Sequence, residues 1–127
     1  MTIEEYQTII KKTSIYPENI GLAYCAMGLT GEAGEVSDKI KKIYRDKDVF
    51  DSSGLIDQEK IHLEVIPEEK ESIKKELGDV MWYITAMANE LGLSLEEIME
   101  ANYNKLIKRR ETNTLHGSGD DREINKQ

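Results

Sequence analysis

Apolar residues recur every three or four positions along most of this chain, with two short interruptions. In TIEEYQTIIKK, Ile3, Tyr6, Ile9 and Ile10 share one helical face. Thr2 can cap that helix, and Glu5 three residues on completes a capping box. Ser14, Pro17 and Asn19 mark a break. Over residues 20–45, Leu22, Ala26, Leu29, Ala33, Val36, Ile40 and Ile43 advance by fours and threes, which predicts one buried stripe. Glu32, Glu35, Lys39 and Lys42 form the adjacent stripe, so these charges border the core. Over residues 46–67 the helical period fails. Gly54 among Asp and Ser predicts a polar turn, and IHLEVI alternates like a short strand. That stretch is expected to be a small β-hairpin or lid between two long helices.

Pro67 suits a helix start, and Ile73, Leu77, Val80, Ile84, Met87 and Leu91 carry the next stripe. Glu76, Asp79 and Tyr83 run beside it. Gly92 ends this helix. Ser94, with Glu97 three residues later, caps a last one that reaches about residue 110. Residues 111–127 are polar and Gly-rich, expected to be flexible or to close over a ligand, with Arg122 reaching anionic groups. The pattern predicts a single all-α domain over residues 1–127, with four main helices in an antiparallel bundle. Long helices with little connecting chain leave apolar faces uncovered, so a homodimer or homotetramer is expected to complete it.

Composition narrows the function classes. A formal net charge of −8 argues against a nucleic-acid or membrane-surface binder. It leaves a nucleotide ligand open, because a metal ion and local Lys or Arg can reverse the field at one site. The single Cys25 permits no internal disulfide and reads as a buried structural thiol in a reducing, cytoplasmic setting. No apolar run approaches the roughly 20 residues of a membrane span, and the acidic N-terminus lacks a signal-peptide pattern. His62 and His116 are read as exposed, and Trp82 as packing or an oligomer contact.

The chemistry lies in two acidic pairs, Glu32 with Glu35 and Glu76 with Asp79, each spaced three apart on one helix face. A lone pair of this kind is usually a solvated face. Packed helix against helix, however, the two pairs can bring four carboxylates together. Four such charges could not share a partly buried pocket unpaired. Hard divalent cations take oxygen ligands, which points to Mg²⁺, with Mn²⁺ as a substitute. Gly28, Gly31, Gly34 and Gly78 flank the acids and predict close approach of backbone or ligand. On the last helix Asn102, Lys105 and Arg109 share a face. Lys105 and Arg109 suit phosphate oxygens, although basic residues at a helix C-terminus also complement the macrodipole.

GLTGEAGEV, KKELGDVMWYI and ANYNKLIKRR, in that order on a helical chain, resemble the MazG-type all-α nucleotide pyrophosphohydrolases, in particular their small single-domain members. The resemblance covers residues 20–110. It implies that Glu32, Glu35, Glu76 and Asp79 are Mg²⁺ ligands and catalytic acids, with Glu32 or Glu35 orienting or deprotonating water. It also implies that Tyr83 helps bind the nucleotide and that Asn102, Lys105 and Arg109 lie near its phosphates. The implied reaction is hydrolysis of a nucleoside triphosphate, in particular a deoxynucleotide, to the monophosphate and pyrophosphate. Gly31 stands where many members carry a further acid, which removes one ligand or base. The rival readings are an enzyme for dUTP or phosphoribosyl-ATP, a non-catalytic helical interaction module, and a metal-binding nucleotide sensor.

Overall fold

A computed structural model of the chain describes residues 1–117 and Gly119. Four main helices carry the fold, and the described residues include no strand. These are α1 (Ile3–Thr13), α2 (Gly21–Asp46), α3 (Ile66–Leu91) and α4 (Leu95–Glu111). The two capping boxes form as the sequence predicts. Thr2 accepts from the Glu5 amide at 3.0 Å, and Ser94 accepts from the Glu97 amide at 3.1 Å. Gly92 closes α3 in the left-handed region at φ 68°. The tail beyond these residues, including Arg122, lies outside the described residues.

The 46–67 stretch departs from expectation. IHLEVI is helical: Asp57 caps Gln58–Lys60, and Ile61–Val65 form a π-helical turn that runs into α3. A strand would place Ile61, Leu63 and Val65 on one face. Instead Ile61 and Val65, four apart, are buried and Leu63 is exposed. Upstream, a single antiparallel bridge joins Phe50 and Ile56. Asp51 closes this turn by accepting from the Ser53 and Leu55 amides at 2.8 and 3.0 Å. The loop is anchored rather than lid-like, because Val49 is fully buried with Ile43, Ile61 and Val65.

The main packing is α2 against α3. Side chains meet in opposite order along the two helices: Glu90 lies over Gly21, Tyr83 over Gly28, Glu76 pairs with Lys39, and Glu69 pairs with Lys47. The helices are therefore antiparallel, as predicted. Apolar clusters close both ends of the seam. One joins Ile43, Val49, Ile61 and Val65, and the other joins Ile10, Cys25 and Ala86 under Tyr6, Tyr16, Trp82 and Met87. Cys25 is a buried free thiol, and Trp82 packs edge-on to Tyr16 and Tyr83.

The predicted α2 stripe holds at Leu29, Val36, Ile40 and Ile43, which are half-buried or buried, but the buried face differs in the first half of the helix. Gly21 and Cys25 are buried, and Gly28 and Glu32 are half-buried, while Leu22, Ala26 and Ala33 are exposed. The early part of α2 is apolar nearly all round, so periodicity alone admits two inward faces. The α1 contact and the aromatic residues select the Cys25 face.

Gln7 ties α1 to the α3–α4 corner. Its amide donates to Asn89 Oδ1 at 3.0 Å and to the Leu93 carbonyl at 2.7 Å, and its carbonyl oxygen accepts from the Leu95 amide at 3.0 Å.

Gly28 is the glycine the packing requires. A Cβ there would lie 2.0 Å from Tyr83 Cε1, whereas one at Gly34 would meet nothing within 4 Å. Gly28→Ala is expected to destabilise the chain by about 1–3 kcal/mol through overpacking. Gly34→Ala is expected to stabilise it by about 0.5–1 kcal/mol through helix propensity. Urea unfolding of both variants checks the pair of opposite signs.

Candidate functional site

Between the two apolar clusters the α2–α3 seam turns acidic. Glu32 projects from α2, and Glu76 and Asp79 project from α3 one turn apart. Each offers a carboxylate oxygen, and the three atoms lie within 4.8 Å of one another. Glu32 and Glu76 are half-buried and Asp79 is exposed. The spacing that puts Glu76 and Asp79 on one helix face supplies one side of this trio. The antiparallel register supplies the other.

Glu35 lies outside the trio, exposed on α2. Its charge still reaches Glu32. Three of the four predicted acids therefore converge, and the fourth stands at their rim. Glu32 holds its proton to higher pH than an ordinary glutamate. Partial burial is the first cause, and the charges of Asp79, Glu76 and Glu35 follow.

One cation enters the trio from within the chain. Lys39 Nζ lies 3.1 Å from Glu76 Oε1 across the seam. Among the described residues no Lys, Arg or His pairs with Glu32 or Asp79. An all-oxygen donor set on two helices, with two carboxylates lacking a paired cation among the described residues, fits a hard divalent ion.

Two tyrosines border the acids. Tyr6, on α1, has its phenol pKa raised by burial and then by the charge of Asp79. Tyr83 sits against Gly28, its pKa raised by burial, then by the Tyr24 hydroxyl, with Glu32 contributing further. The predicted opening at Gly28 is thus filled by the chain's own ring. Gly31, Gly34 and Gly78 do face open space.

Asn102, Lys105 and Arg109 of α4 are not among the converging residues. Asn102 and Lys105 line a groove of about 640 Å³ with Leu93, Glu97, Ile98 and Ala101. Arg109 Nη2 donates to the Gly119 carbonyl at 2.9 Å. His62 and His116 are exposed. Sequence reasoning missed Lys39 as the partner of Glu76, although it stands on the Glu32 stripe. It also missed Tyr6, for which the sequence carries no signal.

The family model for the MazG nucleotide pyrophosphohydrolase domain matches residues 23–114. The chain is similar to the Gene 37 protein of Mycobacterium phage L5, at 41% identity over 96% of this chain and 100% of that protein. A shorter stretch is similar to the uncharacterized protein YvdC of Bacillus subtilis (strain 168), at 43% identity over 33% of this chain and 40% of that one. No solved structure matches.

A raised carboxyl pKa has a defined effect on stability. The folded chain binds the Glu32 proton more tightly than the unfolded chain. Ionising Glu32 therefore removes stability as pH rises above the ordinary value of 4.5. Asp38 acts in a different window: its pKa is held down to about 2 by Lys41 and Lys42, so its contribution is constant above 3.8 and is lost only as pH falls below that value. In chelator, the melting temperature of Glu32→Gln minus that of the wild type is expected to grow as pH rises from 4.5 and then level off. A thermal-unfolding series over pH checks the sign, and a flat difference would contradict it.

Proposed function

The chain belongs to the MazG nucleotide pyrophosphohydrolase family, and from that premise we propose that it hydrolyses a nucleoside triphosphate, in particular a deoxynucleotide, to the monophosphate and pyrophosphate. The observation that carries this reading is the convergence of Glu32, Glu76 and Asp79 across the α2–α3 seam. These three residues would hold Mg²⁺, or Mn²⁺ in its place. Held there, the ion would supply positive charge to offset the negative charge at the reacting phosphorus.

Glu35 is the acid left to act on water. It is exposed, one turn from Glu32, and outside the ligand trio. It would orient a water and take its proton as the oxygen attacks the α-phosphorus, with pyrophosphate leaving. Glu32 is less suited to that role, because ligation would occupy its oxygen. Tyr83 and Tyr6 border the acids from the apolar side and help to exclude water from one flank. Asn102, Lys105 and Arg109 would supply donors and positive charge to the phosphates as negative charge develops.

The α4 groove and the acidic trio share no residue, and a second copy of the chain is the natural means of joining them. Exposed apolar residues support a homodimer or homotetramer: Leu22, Met27, Leu77 and Met81 on α2 and α3, and Met99, Tyr103 and Leu106 on α4. No helix among the described residues is long and apolar enough to cross a membrane.

The test separates products. The chain is incubated with each NTP and dNTP and Mg²⁺, and pyrophosphate is assayed apart from orthophosphate. Pyrophosphate is expected as the direct product. Glu35→Gln and Asp79→Asn are each expected to lower kcat/KM on the order of 100-fold or more. Orthophosphate as the first product, or full activity in both variants, would sink the reading.

A further inference from the structure

Lys39 has no role in the reaction as described, yet it sits inside the acidic cluster. Its ammonium lies 3.1 Å from Glu76 Oε1, with the two side chains 30% and 19% exposed. One member of the trio is therefore neutralised by the chain itself while the other two are not. We propose that Lys39 is a displaceable internal counter-ion. It holds Glu76 until a divalent cation takes that carboxylate, and it then turns into the adjoining cleft to contact the terminal phosphates of the nucleotide. This inference rests on the reading of Glu32, Glu76 and Asp79 as a cation site.

Placement is the first support. Lys39 follows Glu32 by seven residues on α2, two turns along the same face, and reaches across the seam to α3. A divalent ion and an ammonium ion cannot share one carboxylate at close range without strong mutual repulsion. A Lys–carboxylate pair that still reaches solvent is weak enough to be displaced by a divalent ion. Lysine suits the exchange because its compact charge rides on a flexible stem, whereas arginine would clamp a carboxylate with two parallel bonds.

The second support is where the released side chain can go. Lys39 also lines a cleft of about 250 Å³ together with Lys42, Lys47, Asp46, Glu69 and Ser72. The trio and the cleft thus share Lys39 as a common wall. Lys42 is already paired with Asp38, and Lys47 with Glu68 and Glu69. Those pairs leave little attraction in the cleft for a third ammonium by itself. A polyanion seated beside the divalent ion supplies that attraction, and the terminal phosphates of a nucleotide are such a polyanion.

A merely structural salt bridge and a displaceable counter-ion make opposite predictions. Mn²⁺ binding to the chelator-stripped chain is measured by electron paramagnetic resonance. Binding of inorganic tripolyphosphate in saturating Mn²⁺ is measured by calorimetry. Lys39→Met is expected to bind Mn²⁺ about three- to tenfold more tightly, because the competing charge is gone. It is expected to bind tripolyphosphate about tenfold more weakly. Lys39→Arg, which keeps the charge and clamps the carboxylate with two bonds, should bind Mn²⁺ more weakly than the wild type, and Lys39→Gln stands in if the Met variant fails to fold. In a Glu76→Gln background the Lys39→Met tightening should shrink toward none, because the shared carboxylate is missing.

Equal or weaker Mn²⁺ binding in the charge-removing variants, with the wild type binding normally, overturns the proposal and leaves the cation site standing. Tighter Mn²⁺ with unchanged tripolyphosphate binding overturns the second half, the turn toward phosphate. If the folded wild type and the Lys39 variants all bind no Mn²⁺, the reading of the trio falls and this inference falls with it.

Discussion

Three carboxylates do not approach one another unaided. Here they are held together by apolar packing at both ends of a single helix pair. Ile43, Val49, Ile61 and Val65 close one end of the α2–α3 seam, and Ile10, Cys25 and Ala86 close the other. Burial of that surface supplies the driving force. The helices are stiff over these few turns, so Glu32, Glu76 and Asp79 have little room to separate. The raised Glu32 pKa reflects that partial burial and the neighbouring charges.

The rest of the chain keeps this seam in register. Gly28 lets the Tyr83 ring sit against the α2 backbone, which draws the helices close just beside Glu32. Tyr16 stacks on Tyr24 with ring centroids 5.0 Å apart, and its hydroxyl donates to Glu90 at 2.8 Å. Gln7 ties the first helix to the corner where α3 ends. At the other end the turn around Asp51 delivers Val49 into the core, so the long connection between the acidic helices is part of the packing.

The electrostatic design is asymmetric. The acids lie in the middle of the seam, and lysines follow them along α2 toward its C-terminus, where positive charge is also favoured by the helix dipole. A polyphosphate carried by a divalent ion would meet carboxylates through the metal and ammonium groups directly. Lys39 stands at the boundary between the two regions, in contact with Glu76 and lining the adjoining cleft.

Much of this was legible in the chain alone. Period-four and period-three spacing, with the Thr2, Gly92 and Ser94 caps, marks the four main helices, because these signals depend on neighbours within one turn. The Glu-x-x-Glu and Glu-x-x-Asp spacings mark the acids for the same reason. IHLEVI was misleading, since a five-residue apolar alternation also fits a helical turn with Ile61 and Val65 on one face. The inward face of α2 was ambiguous, because Leu22, Cys25 and Ala26 offer two apolar stripes and only packing partners select one. What tertiary structure alone decided is which groups meet across the seam: Glu32 with Glu76 and Asp79, Lys39 with Glu76, Tyr83 with Gly28, and Glu35 left at the rim. Those pairings depend on the relative register and rotation of two helices, set by the sum of many contacts far apart in sequence, and no local spacing encodes them.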